Sequence, residues 1–240
     1  MEWQEWSKTL KDVLGMKSSP VAVNYSPEAA EGASEEGEHW VCEAWFKAGA
    51  GEVIDLTAQT CSCSGGSWHL GLTPPPSGEM AEALKKFLVE GEKLFASAAA
   101  FHRAGSSHPQ PPLGLAEHVI FRPLETAPKE PDVVLFLCNP EQACRIITLY
   151  TYWSGLSPRV ELTGSACYMA ITYSLVSGEV NVSFLDWTAR KMRKCPADIL
   201  IVSVPYHHMP GIVSAVPRCT AGTAITEFPP EFKKLVGDVE

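Results

Sequence analysis

The chain has 240 residues, enough to bury an apolar core without cross-links, so its eight cysteines are not needed as staples. A formal net charge of −9 and a pI near 5.3 set a repelling background against nucleic acid and anionic membranes. The densest basic stretch, Arg190, Lys191, Arg193 and Lys194, is short, lies beside Asp186 and has only Trp187 as a neighbouring ring for base stacking, so no nucleic-acid partner is expected.

The start, Met-Glu-Trp-Gln-Glu-Trp, lacks the basic-then-apolar order of a secretory signal. The apolar runs 133–138 and 199–204 are far shorter than the roughly 20 residues of a membrane-spanning helix. A cytoplasmic protein with no membrane partner is expected, and with it reduced thiols rather than disulfides. Cys138, ending an apolar strand, and Cys144, on a helix, fit core packing.

Trp3, Trp6, Leu10, Val13 and Leu14 recur at helical spacing, which predicts a first helix packed on the body. Residues 20–25 read as a strand closed by Ser26-Pro27, and 28–38 as a loop or weak short helix. A helix over 39–48 stops at Gly49 and Gly51, and a strand follows over 52–57. After Cys61-Ser-Cys63-Ser-Gly65-Gly66, residues 67–72 begin another helix that Pro74-Pro75-Pro76 stops. Met80, Ala83, Leu84, Phe87, Leu88, Leu94 and Phe95 predict one long amphipathic helix lying against a sheet.

Between Ala104 and Gly114 the composition turns to Gly, Ser, His, Pro and Gln, which places a boundary between an N-terminal half, 1–112, and a C-terminal half, 113–240. Strands over 119–122, 133–138, 179–185 and 199–204 then alternate with helices near 140–154 and 165–176. The expected class is α/β, with α+β as its variant: one compact domain of two similar halves, each a mixed sheet with packed helices, around a pseudo-twofold seam. Three landmarks suggest internal duplication. Pro20 to Glu28 echoes Pro131 to Glu141, Cys42 echoes Cys167, and Gly51-Glu52-Val53 echoes Gly178-Glu179-Val180. On that reading Cys42 and Cys167 sit on equivalent helices and approach each other at the junction, a common place for a pocket.

The chain resembles the ArCR family, number 169 among the domains of unknown function. The resemblance rests on Pro20-Val-Ala-Val, Cys42, Cys63-Ser-Gly-Gly-Ser-Trp-His-Leu-Gly71, Asn139-Pro-Glu-Gln-Ala143, Gly164-Ser-Ala-Cys167, and Asn181-Val-Ser-Phe leading to Arg190. These cover nearly the whole chain. The family is found largely in bacteria and archaea and has no established activity, so the resemblance implies a fold more than a function. Cys61 departs from its pattern.

The sharpest candidate chemistry is the thiol set Cys42, Cys61, Cys63 and Cys167, with His39 one helical turn before Cys42 and His69 shortly after Cys63. Thiolates hold zinc and iron–sulfur clusters, and Cys-x-Cys can present two sulfurs on one loop. Cys42, Cys63 and Cys167 are the expected ligands, with Cys61 or His39 as the fourth. The spacing matches neither a zinc ribbon nor a ferredoxin, so idle buried thiols or a redox pair are the competing readings.

Ser62, Ser64, Gly65, Gly66 and Ser67 offer a second possibility, an anion nest for a small-molecule ligand, with Arg190 as a clamp. The plainer alternatives are a tight turn and an Arg190–Asp186 salt bridge. His207-His208 could serve a thiol as base, although no acidic residue nearby in sequence orients either ring. The expected partner is thus a metal or a small molecule, and nothing in the sequence fixes the oligomeric state.

Overall fold

The structure is a computed structural model that describes residues 2–33, 39–223 and 229. In chain order the elements are α1 (Glu2–Leu14), β1 (Val21–Ser26), α2 (Val41–Gly49), β2 (Ile54–Leu56), α3 (Ser64–His69), α4 (Gly78–Lys86), α5 (Ala98–Ser106), β3 (His118–Pro123) and β4 (Val133–Cys138). They continue with α6 (Pro140–Ser154), α7 (Tyr173–Ser177), β5 (Asn181–Ser183), α8 (Trp187–Met192), β6 (Leu200–Pro205) and α9 (Met209–Ala215). Part of the loop expected over 28–38, residues 34–38, lies outside the described residues.

The strands form one six-stranded sheet in the order β2-β3-β1-β4-β6-β5, every neighbouring pair antiparallel. The expected α/β layering is present, but as a single antiparallel sheet rather than a mixed sheet in each half. Its central strands are β-branched and buried on both faces, with Val21, Val23, Val133, Leu135 and Ile201 toward one helical layer and Ala22, Val134, Phe136, Val202 and Val204 toward the other. Alternation along a strand sends successive side chains to opposite faces, so both helical layers share one apolar partner. α1, α6 and α9 cover the second face. α2, residues 166–171 and α8 cover the first.

The strand order is symmetric about the Ala22–Val134 pair, where β1 and β4 meet over Val21–Leu135, Ala22–Val134 and Val23–Val133. β1 pairs with β3 from Val21–Pro123 to Ser26–His118, as β4 pairs with β6 from Val133–Pro205 to Cys138–Leu200. Each of those outer partners ends in proline followed by one 3-10 turn, and Leu124 N donates to Pro20 O as Tyr206 N donates to Asp132 O. Strand order and register alone do not make the halves copies of one sequence.

Three expectations change. β3, assigned to the C-terminal half by the boundary at 112, pairs with β1 and β2, so the sheet divides between β3 and β4. The long helix expected against the sheet is instead α4 running into a π-turn over Phe87–Gly91, a break, and then α5, and none of its residues is buried. Cys144 is exposed on α6, whereas Cys138 is buried. An amphipathic pattern fixes which face of a helix is apolar, not what that face meets. Among the described residues no helix is long and apolar enough to cross a membrane.

Candidate functional site

Four cysteines from four separate elements converge between the first-face helices. Cys42 lies in the first turn of α2, which begins where the extended backbone at Trp40 turns helical. Cys63 is the N-cap of α3, and its Sγ accepts the Gly66 amide at 3.2 Å. Cys167 precedes a π-turn over Tyr168–Thr172 that leads into α7. Cys195 sits in the turn after α8, held by its own amide on Ala189 O. Cys63 and Cys167 lie near enough for each thiol to shift the other's titration, as do Cys42 and Cys195, and Cys42 also interacts electrostatically with Cys63 and Cys167.

The two pairs are electrically asymmetric. The Cys167 thiol and the Gly66 amide lower the Cys63 pKa to about 7 against the opposing effect of burial. The Cys167 thiol is pushed up by Cys63 and by burial. In the other pair Cys42 lowers Cys195, helped by the Arg190 charge, while Cys42 is raised by Cys195 and by burial. Cys63 and Cys195 are therefore the sulfurs readiest to carry negative charge.

Of the expected thiols, Cys42, Cys63 and Cys167 are brought together, with Cys195 beside them. Cys61 stands beside Cys63, its thiol on the Cys63 carbonyl oxygen at 3.6 Å, and burial raises its pKa to about 11. His39 bridges Cys61 through its backbone and faces Lys47 Nζ with its Nδ1 at 3.4 Å, while its buried Nε2 has no hydrogen-bond partner among the described residues. Cys195 was missed. Its only sequence sign is a cysteine placed shortly before a strand. Among the described residues no group of three or more His, Cys, Asp or Glu side chains stands in metal-holding geometry.

Cys42, Cys63 and Cys167 open onto a cavity of about 470 Å³ bounded by the body on one side and by α4, the π-turn and α5 on the other. One wall is aromatic. His69 stacks on Trp68 at 4.8 Å and lies near Tyr168, which in turn stacks on His108 at 4.4 Å. His69 Nδ1 meets Gln110 Oε1 at 3.1 Å, and burial lowers its pKa to about 4. Burial lowers His108 as well.

The residues expected to clamp an anion have other tasks. The Gly66 amide serves Cys63, and a side chain at Gly66 would press on Val41 Cγ2 and the Cys63 sulfur. Ser64 and Gly65 form the first turn of α3, with Gly65 on the cavity wall. Arg190 spends its whole fork on main-chain carbonyls: Phe184 O at 2.9 Å, Pro196 O at 2.8 Å, Ala197 O at 3.3 Å and Ile199 O at 2.9 Å. Asp186, its expected partner, instead accepts the Ala166 and Ala189 amides. The His207 and His208 rings lie 4.0 Å apart at a tilt of 47°, and His208 Nε2 meets Gly178 O, away from the four thiols.

An antiparallel α/β protein with a thiol-floored cavity under a helical flap is the class that fold and site define. The chain belongs to the uncharacterised ArCR family, domain-of-unknown-function family 169, whose model matches residues 9–215. No curated protein and no solved structure matches it.

Proposed function

We propose that this protein binds a soft metal ion or an iron–sulfur cluster through Cys42, Cys63, Cys167 and Cys195. The observation that carries the reading is the meeting of these four thiols from α2, the α3 cap, the segment before α7 and the turn after α8, near enough that each shifts the titration of another, with Cys42, Cys63 and Cys167 on one cavity wall. Thiolate donors favour zinc, copper(I) and iron–sulfur centres over hard cations. Loading forms metal–sulfur bonds and releases the thiol protons. Arg193 acts electrostatically on Cys63 and Arg190 on Cys195, which offsets the charge of such a thiolate set.

The test is elemental analysis and absorption spectroscopy of protein purified without oxygen, beside Cys195→Ser and Cys61→Ser. The expected result is metal in the unaltered protein and in Cys61→Ser, and its loss in Cys195→Ser. Colourless protein free of zinc, copper and iron overturns the reading, and so does equal metal in all three.

A further inference from the structure

We infer that the cavity between the thiol-bearing body and residues 78–106 is the binding site of an uncharged, predominantly apolar small molecule, over which those residues act as a lid. This goes beyond the metal reading and does not rest on it.

The lid itself supplies the first argument. Leu84, Leu88, Phe95 and Phe101 line the cavity from α4, the π-turn, the break and α5. Yet none of the residues of α4, the π-turn or α5 is buried. An amphipathic helix holds its place by burying its apolar face against something apolar. Here that face meets about 470 Å³ of space, within the range of small-molecule sites. A molecule that fills it removes the exposed carbon of both lid and wall from water.

The second argument is charge. Among the described residues Arg193 is the one lysine or arginine in the cavity wall. Its charge is met by the Trp40 ring, 3.4 Å from the guanidinium to the ring centroid, and by Glu43 Oε1 at 3.5 Å, which leaves its buried Nε as a single donor for a neutral acceptor on the ligand. Asp186 is used by two amides and Glu92 by the Thr188 hydroxyl. Glu161, the remaining carboxylate of the wall, acts on His108 and Tyr168 and repels a negative ligand. A carboxylate or phosphate would have to share the wall's single cation with Glu43 and Trp40 and face Glu161 as well, which is costly. The rings of Trp68, His69, His108 and Phe95 offer flat apolar or weakly polar contact instead.

The lid is attached to suit this role. It follows Pro74-Pro75-Pro76 and precedes Pro111-Pro112, its turn at Gly78 has φ +55°, and the break between the π-turn and α5 carries Lys93 at φ 57°. Among its ties to the body are the Glu92–Thr188 hydrogen bond and Leu94 resting on Gly164.

The experiment titrates the intact reduced protein with Nile red, an uncharged apolar dye, reading dye emission and energy transfer from tryptophan, since Trp40 and Trp68 line the site. Dodecanol and dodecanoate then compete as chains of equal length that differ in charge. Expected are saturable binding, displacement by dodecanol but not dodecanoate, and about tenfold or greater loss of dye affinity in Leu88→Asp, which places a charge on the lid's inner face without disturbing a buried position. Absence of saturable binding, equal displacement by dodecanoate, or unchanged affinity in Leu88→Asp overturns the proposal. Cys195→Ser, expected to lose metal, is expected to keep the dye, so the two readings fail separately.

Discussion

At the scale of single residues, His69 shows how burial becomes a dependence on pH. Its Nδ1–H serves Gln110, Trp68 covers its ring, and its pKa falls from 6.5 to about 4. Between those values the unfolded chain binds a proton that the folded chain refuses. The stability this ring supports is therefore complete above pH 6.5 and declines as pH falls toward 4, with a ceiling of about 3 kcal/mol. Urea unfolding across that window is expected to show a shallower slope of stability against pH in His69→Gln than in the unaltered protein. Equal slopes would mean that other groups carry the acid sensitivity. The sequence placed His69 near Cys63 but gave no sign of this, since burial of a lone histidine depends on Gln110 and Tyr168, distant along the chain. The cysteines divide in the same way. Cys42, Cys63 and Cys167 stood out through neighbours with readable geometry, whereas Cys195 owes its place to a turn fixed by the Ala189 carbonyl and by Arg190.

At the scale of elements, Arg190 ties α8 to the entry of β6 through the carbonyl oxygens of Pro196, Ala197 and Ile199, and to the end of β5 through that of Phe184. Arg190→Ala is expected to destabilise the protein by about 2 kcal/mol, and lysine not to restore it, because an ammonium cannot reproduce the planar fork. Chemical denaturation of both variants measures this, and full rescue by lysine would assign the effect to charge alone. An arginine after a short strand looks the same in sequence whether it meets a ligand or the backbone. The strands and most helices were legible because period and punctuation are local, as for β4, where an unbroken apolar run leads into the Asn139-Pro140 cap of α6. α4 and α5 were legible as amphipathic helices but not as a lid, since only tertiary placement decides whether an apolar face meets a sheet or a cavity.

At the scale of the whole molecule, stability is unevenly spread. The sheet strands are almost wholly buried, whereas residues 78–106 contribute nothing to either apolar cluster. Limited proteolysis of the native protein is expected to cut first within 77–107, leaving the sheet intact, and Nile red is expected to slow that cleavage. First cuts inside β4 or β6 would contradict this distribution. The two sides of the sheet were legible from the repeated strand openings, but the division between β3 and β4 was not, because the loop at 107–117 resembles a linker in composition while returning the chain to the first side.

The β1–β4 junction has a mechanical consequence. Three residue pairs join the sides there, against six on each outer flank, so the sheet consists of two stiff plates on a narrow strip. Cys42 and Cys63 ride with one plate, Cys167 and Cys195 with the other, and each sulfur pair spans the gap. The thiol cluster therefore draws its members from both sides of the narrowest join in the sheet.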